Sequence, residues 1–144
     1  AGLQWRLLVG PNVAEVIFST LSEQALEGVM VERYRTDFRR LLAGASVSVS
    51  QAGYNTVADI LSTNTPAVLV PFDTDGEDEQ PRRAQKLAQA GRAETIASSH
   101  LTPQRLADAI DRVAIRTPST EFVLDMDGAT NTVAILRRAL ERRD

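Results

Sequence analysis

The segment Ser48-Val49-Ser50-Gln51-Ala52-Gly53-Tyr54-Asn55-Thr56-Val57-Ala58-Asp59 has the residue types best suited to hold an anion. It reads as the carboxyl end of a strand, a glycine turn and the start of a helix, where open α/β sheets bind ligands. Gly53 is expected to let the backbone turn sharply and come close to a ligand. The N–H groups of Asn55, Thr56 and Val57 would point outward with the positive end of the helix dipole, a seat for phosphate oxygens. Asp59, one turn in, would accept two hydrogen bonds from a ribose diol. A local account competes. Thr56-x-x-Asp59 has capping-box spacing, and an acid near a helix start stabilises it by about 0.3–1 kcal/mol with no ligand at all. Spacing alone leaves both accounts open.

A second segment, Pro71 to Pro81, holds five acids in seven residues from Asp73 to Glu79. Their order does not match an EF-hand loop, which needs ligands at fixed odd positions around one Gly, so a solvated acidic loop is expected and no metal. The segment leaves the neighbouring strand's carboxyl end and so borders the same crevice as Gly53. Other chemistry is excluded by counting. The one histidine, His100, sits before a helix start among Ser98, Ser99 and Thr102 and reads as a loop residue. There is no G-x-S-x-G elbow, no H-E-x-x-H, no P-loop and no complete dinucleotide fingerprint.

These segments need strands and helices to position them, and the pattern supplies both. Arg6 to Gly10 is a short apolar run that predicts a strand, and Asn12 is the expected cap of a helix carrying Val13, Val16, Ile17 and Leu21 and stopped by Gly28. Val29-Met30-Val31 is a second strand, followed by a short helix with Phe38, Leu41 and Leu42 before Gly44. Ser46 to Ser50 is a third strand, with Val57, Ile60 and Leu61 on one face of the next helix. Ala67 to Val70, between Pro66 and Pro71, is apolar on both faces, as in a parallel sheet covered on each side. A helix through Ala84, Leu87 and Ala88 ends at Gly91, and Ala93 to Ala97 is a weaker fifth strand. Pro103 opens a helix at its first position and turns Leu106, Ile110 and Val113 inward. After a loop at Thr117-Pro118, Asp127 caps a last helix through Val133, Leu136 and Leu140. Strands alternating with helices predict an α/β doubly wound parallel sheet, with residues 1–144 as one domain.

Composition narrows the class. The chain has 144 residues, 43 % hydrophobic and 24 % charged, with a net charge of −3 and no cysteine. That excludes a disulfide scaffold, a thiol nucleophile and Cys-ligated metals. The acidic balance argues against nucleic acid as the main partner. Apolar runs are only a few residues long, far short of the roughly 20 needed to span a bilayer. No basic-then-apolar leader is seen, so a cytoplasmic domain is expected. The abrupt start at Gly2-Leu3-Gln4-Trp5, with no initiator Met, leads us to expect a piece of a longer protein.

Gln51-Ala52-Gly53-Tyr54-Asn55-Thr56, then Asp59-Ile60-Leu61, then Thr65 to Pro71, then Glu79-Gln80 and Ala84 to Gly91, resembles the carboxyl-terminal domain of MurG-like glycosyltransferases. These are family 28 enzymes of the GT-B fold, which use a nucleotide-sugar donor, and the bacterial subgroup with a G-Y-N-T motif is the nearest in pattern. The resemblance covers Leu41 to Val113 well and the flanks loosely. It implies that the Gly53 turn, Asn55 and Thr56 face the donor diphosphate, with Gln51, Ala52 and Tyr54 also among the donor-binding residues. It places Asp59 where the family usually has a ribose-binding Glu, one methylene longer. Glu79 and Gln80 stand where a Gln-rich pair contacts the donor sugar, and Gln51 stands where some members have an Arg.

The resemblance also implies what lies outside the chain: an amino-terminal acceptor domain with the catalytic base, and a first donor-domain strand with a glycine-rich loop. In a sheet of order 3-2-1-4-5-6 that strand is central, so a gap is expected between the strands at Leu7 and Val47. Exposed edges of that kind invite pairing with another chain, and self-association through the gap is the expectation. The function expected is donor binding in transfer of a sugar, UDP-linked in the family's usual choice, to an acceptor hydroxyl. No cofactor is expected beyond that substrate. The alternatives are a non-catalytic subunit that pairs with an acceptor-binding chain, and a relative of the UDP-sugar 2-epimerases, which would need more acid/base groups near the crevice.

Overall fold

The computed structural model describes residues 4–73 and 78–115. Thr74 to Glu77, in the acidic loop, and the expected loop at Thr117-Pro118 and last helix from Asp127 lie outside the described residues. The chain divides into two compact units, Ala1–Leu41 and Leu42–Asp144. The fold is α/β, and every strand pairing among the described residues is parallel.

In the first unit β1 (Trp5–Val9) pairs with β2 (Val29–Arg33), Trp5 opposite Val29 and Val9 opposite Arg33. The crossover between them contains α1 (Glu15–Glu23). Two expectations need correction here. Asn12 does not cap α1; the cap position is Ala14, and no side chain closes the helix start. Gly28 does not stop it either. The helix ends at Glu23, and Gly28, at φ 85°, turns the chain into β2, a conformation that costs glycine little. Val16 and Ile17 follow helical spacing as predicted, yet both stay exposed.

α2 (Phe38–Ala43) runs across the boundary between the units. The second unit then places β3 (Ser48–Ser50), β4 (Ala67–Leu69) and β5 (Glu94–Thr95) in one sheet in that order, with β4 central. Among the described residues β1 and β3 belong to different sheets. Ala67, Val68 and Leu69 are all buried, as the two-sided apolar run requires. Val68 joins Ile96, Ala109 and Val113 in a core flanked by Val47, Leu106 and Ile110. Burying each such aliphatic side chain is worth about 1.5–3 kcal/mol.

The helices of this unit are α3 (Tyr54–Thr63), α4 (Glu79–Gln89) and α5 (Pro103–Ala114), and their ends explain their lengths. α4 stops in a Schellman turn: Gly91, at φ 66°, donates its N–H to Ala88, and Arg92 donates to Leu87. α3 stops in the same way with Asn64 at φ 56°, its N–H on Leu61 and that of Thr65 on Ile60. The Thr65 hydroxyl then donates to the Leu42 carbonyl at 2.8 Å, so a buried polar group fixes the approach to β4. α5 starts as predicted, with Pro103 first and the Thr102 hydroxyl accepting the Arg105 N–H at 3.2 Å.

Candidate functional site

β3 and β4 run parallel, with Ser48 opposite Ala67 and Ser50 opposite Leu69. Their carboxyl ends therefore lie side by side, and the Val70 N–H extends the pairing to the Ser50 carbonyl at 2.8 Å. The segments that leave this edge are the ones with chemistry-bearing residues, Gln51 to Gly53 before α3 and Pro71 to Asp73 on the way to α4.

α4 ties them together. Gln80 and Arg83, three residues apart and so on one helix face, both reach the turn before α3. The Gln80 Oε1 accepts the backbone N–H of Ala52 and that of Phe72, each at 3.1 Å. The Arg83 Nη1 donates to the Ala52 carbonyl at 2.7 Å. Ala52 is fully buried, so its polar backbone atoms need partners, and both come from α4. The expected sugar-contacting glutamine thus uses its oxygen to hold two loops in register. Its Nε2 has no hydrogen-bond partner among the described residues.

The turn itself differs in detail from expectation. Gly53 occupies the cap position of α3 at φ −62° and ψ 148°, a conformation open to any residue, so the turn does not need glycine's freedom. A Cβ added there would meet nothing within 4 Å. What glycine leaves at this point is open space against the backbone. The first helical hydrogen bond runs from the Val57 N–H to the Gly53 carbonyl at 3.0 Å. Val57 is therefore engaged, contrary to the sequence reading, and the N–H groups ahead of the first helical bond are those of Tyr54, Asn55 and Thr56.

That start also removes the capping-box account. Thr56 is the third helical residue and not the cap, and the first turn of α3 contains no acid. Asp59 lies in the second turn, half-buried, where the influence of the dipole has largely fallen away. Its backbone carbonyl accepts the hydroxyls of Ser62 and Thr63, each at 2.9 Å, while no hydrogen bond to its carboxylate is seen among the described residues. Gln51, Tyr54 and Asn55 are exposed and Thr56 is half-buried. At the end of β3 the Ser50 hydroxyl is buried without a hydrogen-bond partner among the described residues, an arrangement that costs about 1–3 kcal/mol.

Arg83 is the residue that sequence reasoning missed. Its guanidinium carbon lies 5.8 Å from the centre of the Tyr54 ring, and its Nη2 is 3.6 Å from a Glu79 carboxylate oxygen. Glu79 is the first residue of α4 and its side chain is 87 % exposed. The signal available was its i+3 spacing from Gln80. Away from this edge, His100 closes a short 3₁₀ turn, Ser98–His100, and lines an open groove with Thr95, Arg105, Asp108 and Arg112. Arg112 is held there by Glu94 through contacts of 2.8 to 3.1 Å, which raises its pKa.

The comparisons with known proteins agree on the family. The sequence profile of the glycosyltransferase family 28 C-terminal domain matches residues 2–126, across both units. Among curated proteins, the UDP-N-acetylglucosamine–N-acetylmuramyl-(pentapeptide) pyrophosphoryl-undecaprenol N-acetylglucosamine transferase of Sorangium cellulosum is 37 % identical over 78 residues, 54 % of this chain and 19 % of that protein. The chain spans about a fifth to a third of the length of the curated relatives it matches. Among solved structures, a glycosyltransferase of kitacinnamycin superposes with a TM-score of 0.62 at 24 % identity, over 78 % of this chain and 27 % of that one. MurG of Acinetobacter baumannii gives 0.61 at 21 % identity, over 78 % and 33 %. These likenesses show a shared fold, and the profile match shows membership: the chain belongs to the glycosyltransferase family 28 C-terminal domain family.

Proposed function

We propose that residues 1–144 form the nucleotide-sugar-binding part of a glycosyltransferase, with the donor diphosphate at the turn from Gln51 to Thr56. The observation that carries this reading is the joining of the two loops at the carboxyl ends of β3 and β4 by Gln80 and Arg83. It leaves three helix-start N–H groups beside an open glycine, where a diphosphate is favoured by both hydrogen bonding and dipole. Asp59 is the residue for the ribose hydroxyls, and the free Nε2 of Gln80 and the carboxylate of Glu79 are the groups for the donor sugar. The chemistry is electrostatic: the helix-start N–H groups stabilise the departing diphosphate while an acceptor hydroxyl attacks the anomeric carbon.

The donor is UDP-linked in this reading, supported by the UDP-N-acetylglucosamine named in the curated relatives. No cofactor is assigned. The catalytic base and the acceptor site belong to an amino-terminal domain of the parent protein. The reading places that protein in a bacterial cytoplasm, with membrane association through its other part; no helix among the described residues is long and apolar enough to cross a membrane. Self-association through the gap left by the missing first strand completes it, checked by sedimentation over a range of concentrations. Calorimetric titration of the chain with UDP, GDP and dTDP tests the donor assignment. UDP is expected to bind most tightly; equal affinity for all three, or none, contradicts it.

A further inference from the structure

Resting on the reading above, we propose that Arg83 is the phosphate-binding cation of this site and that Glu79 is the counter-ion a donor phosphate displaces from it. The guanidinium is held against the first turn of α3 from two sides, by the Ala52 carbonyl at 2.7 Å and the Tyr54 ring at 5.8 Å. Its side chain is only 22 % exposed, so the charge is fixed in place. That location is adverse for a cation, because the positive end of the α3 dipole is there already. The Ala52 carbonyl and the Tyr54 ring offset part of this, and neither carries a full negative charge. The Glu79 carboxylate is 3.6 Å away, beyond hydrogen-bond distance, and a pair this open to water contributes little. Gln51, in the same turn, is neutral.

An anion at the turn resolves the conflict. A guanidinium has five N–H donors in a planar fork that matches two phosphate oxygens, and the hydrogen bond to the Ala52 carbonyl uses one of them. A phosphate seated on the α3 N–H groups therefore meets a second, charged set of donors, and Glu79 is repelled from the position it shares with that phosphate. Glu79 then opposes phosphate binding in the empty site, and once displaced from Arg83 its carboxylate is available to the donor sugar.

UDP, uridine and inorganic phosphate titrated against the wild-type chain and the variants Arg83→Gln, Arg83→Lys and Glu79→Gln distinguish these roles. Arg83→Gln is expected to weaken UDP about tenfold, the loss of one charge-assisted contact. Arg83→Lys recovers part of that loss, and uridine binding does not change. Glu79→Gln is expected to tighten both UDP and phosphate. UDP affinity unchanged in Arg83→Gln, or weakened in Glu79→Gln, overturns the proposal. If Arg83→Gln also lowers the melting temperature, Glu79→Gln decides, since it removes no contact to the turn: tightening supports the proposal and any other result overturns it. Absence of UDP binding in the wild type overturns the donor-site reading and this inference with it, whereas binding that ignores both variants overturns this inference alone.

Discussion

In β4, Ala67, Val68 and Leu69 retain at most 1 % of their surface, whereas in β1 Trp5 and Leu7 keep 39 % and 43 %. The helices differ in the same way. α5 turns Ala109 and Val113 fully inward, while α1 has no buried residue and leaves Val16 and Ile17 in solvent. Both regions carry the apolar spacing of an α/β protein. The difference lies in neighbours: among the described residues β4 has a strand on each side and α5 against it, and β1 has one strand partner. An apolar pattern says which face a strand would bury, and only neighbouring elements make the burial happen. The site sits on the well-buried side of that contrast, at the end of the β3–β4 pair, where its supporting backbone is held.

Substitution in the two sheets tests the contrast most strongly. Leu69→Ala should lose about 2–5 kcal/mol of stability, the cost of a cavity in a fully buried position. Leu7→Ala should lose under about 1 kcal/mol, since much of its surface is already wet. Urea unfolding followed by circular dichroism measures both, and equal losses would break the comparison. The helix starts give a smaller, sharper version. Thr102→Ala should cost about 1 kcal/mol because its hydroxyl caps α5, while Asn12→Ala should stay within about 0.5 kcal/mol because α1 takes no side-chain cap.

The smallest effect is one of pH in the first unit. Arg35, hydrogen-bonded to Glu32 at 2.6 Å, holds the Glu32 carboxyl below its ordinary pKa, with Arg6 at 2.8 Å adding to the effect. Arg35 also lowers Asp37. A carboxyl with a lowered folded-state pKa contributes stability above its unfolded pKa, and that contribution is lost as pH falls through the lowered value. Acid should therefore weaken the β1–β2 pair in and below the ordinary carboxylate range. The single tryptophan, Trp5 in β1, reports it by fluorescence. Glu32→Gln should flatten this pH dependence; an unchanged profile would remove the network from the account.

The parts of this fold legible in the sequence are the local ones. The buried β4 run between two prolines, Pro103 at the start of α5 and Gly91 at the end of α4 each announce themselves within a few residues. The start of α3 lies one residue earlier than its sequence suggests, because the Gly53 carbonyl already accepts the Val57 N–H, and Thr56-x-x-Asp59 only imitates a cap. Asn12 and Gly28 mislead in the same way, as residue types suited to helix ends that stand outside this helix. Arg83 stayed hidden for a different reason. Its partner Ala52 lies 31 residues upstream, and a backbone carbonyl leaves no mark in the sequence of the residue it holds. Gln80 was visible through family pattern, but its service to Ala52 and Phe72 was not.

The turn before α3 is the proposed nucleotide seat. Amide chemical-shift mapping of the chain during a UDP titration tests that most directly. The largest shifts are predicted at Ala52, Tyr54, Asn55 and Thr56, with Asp59 following and the groove of His100, Arg105 and Arg112 silent. Shifts confined to that groove or to the first unit, with Asn55 and Thr56 unmoved, would contradict it.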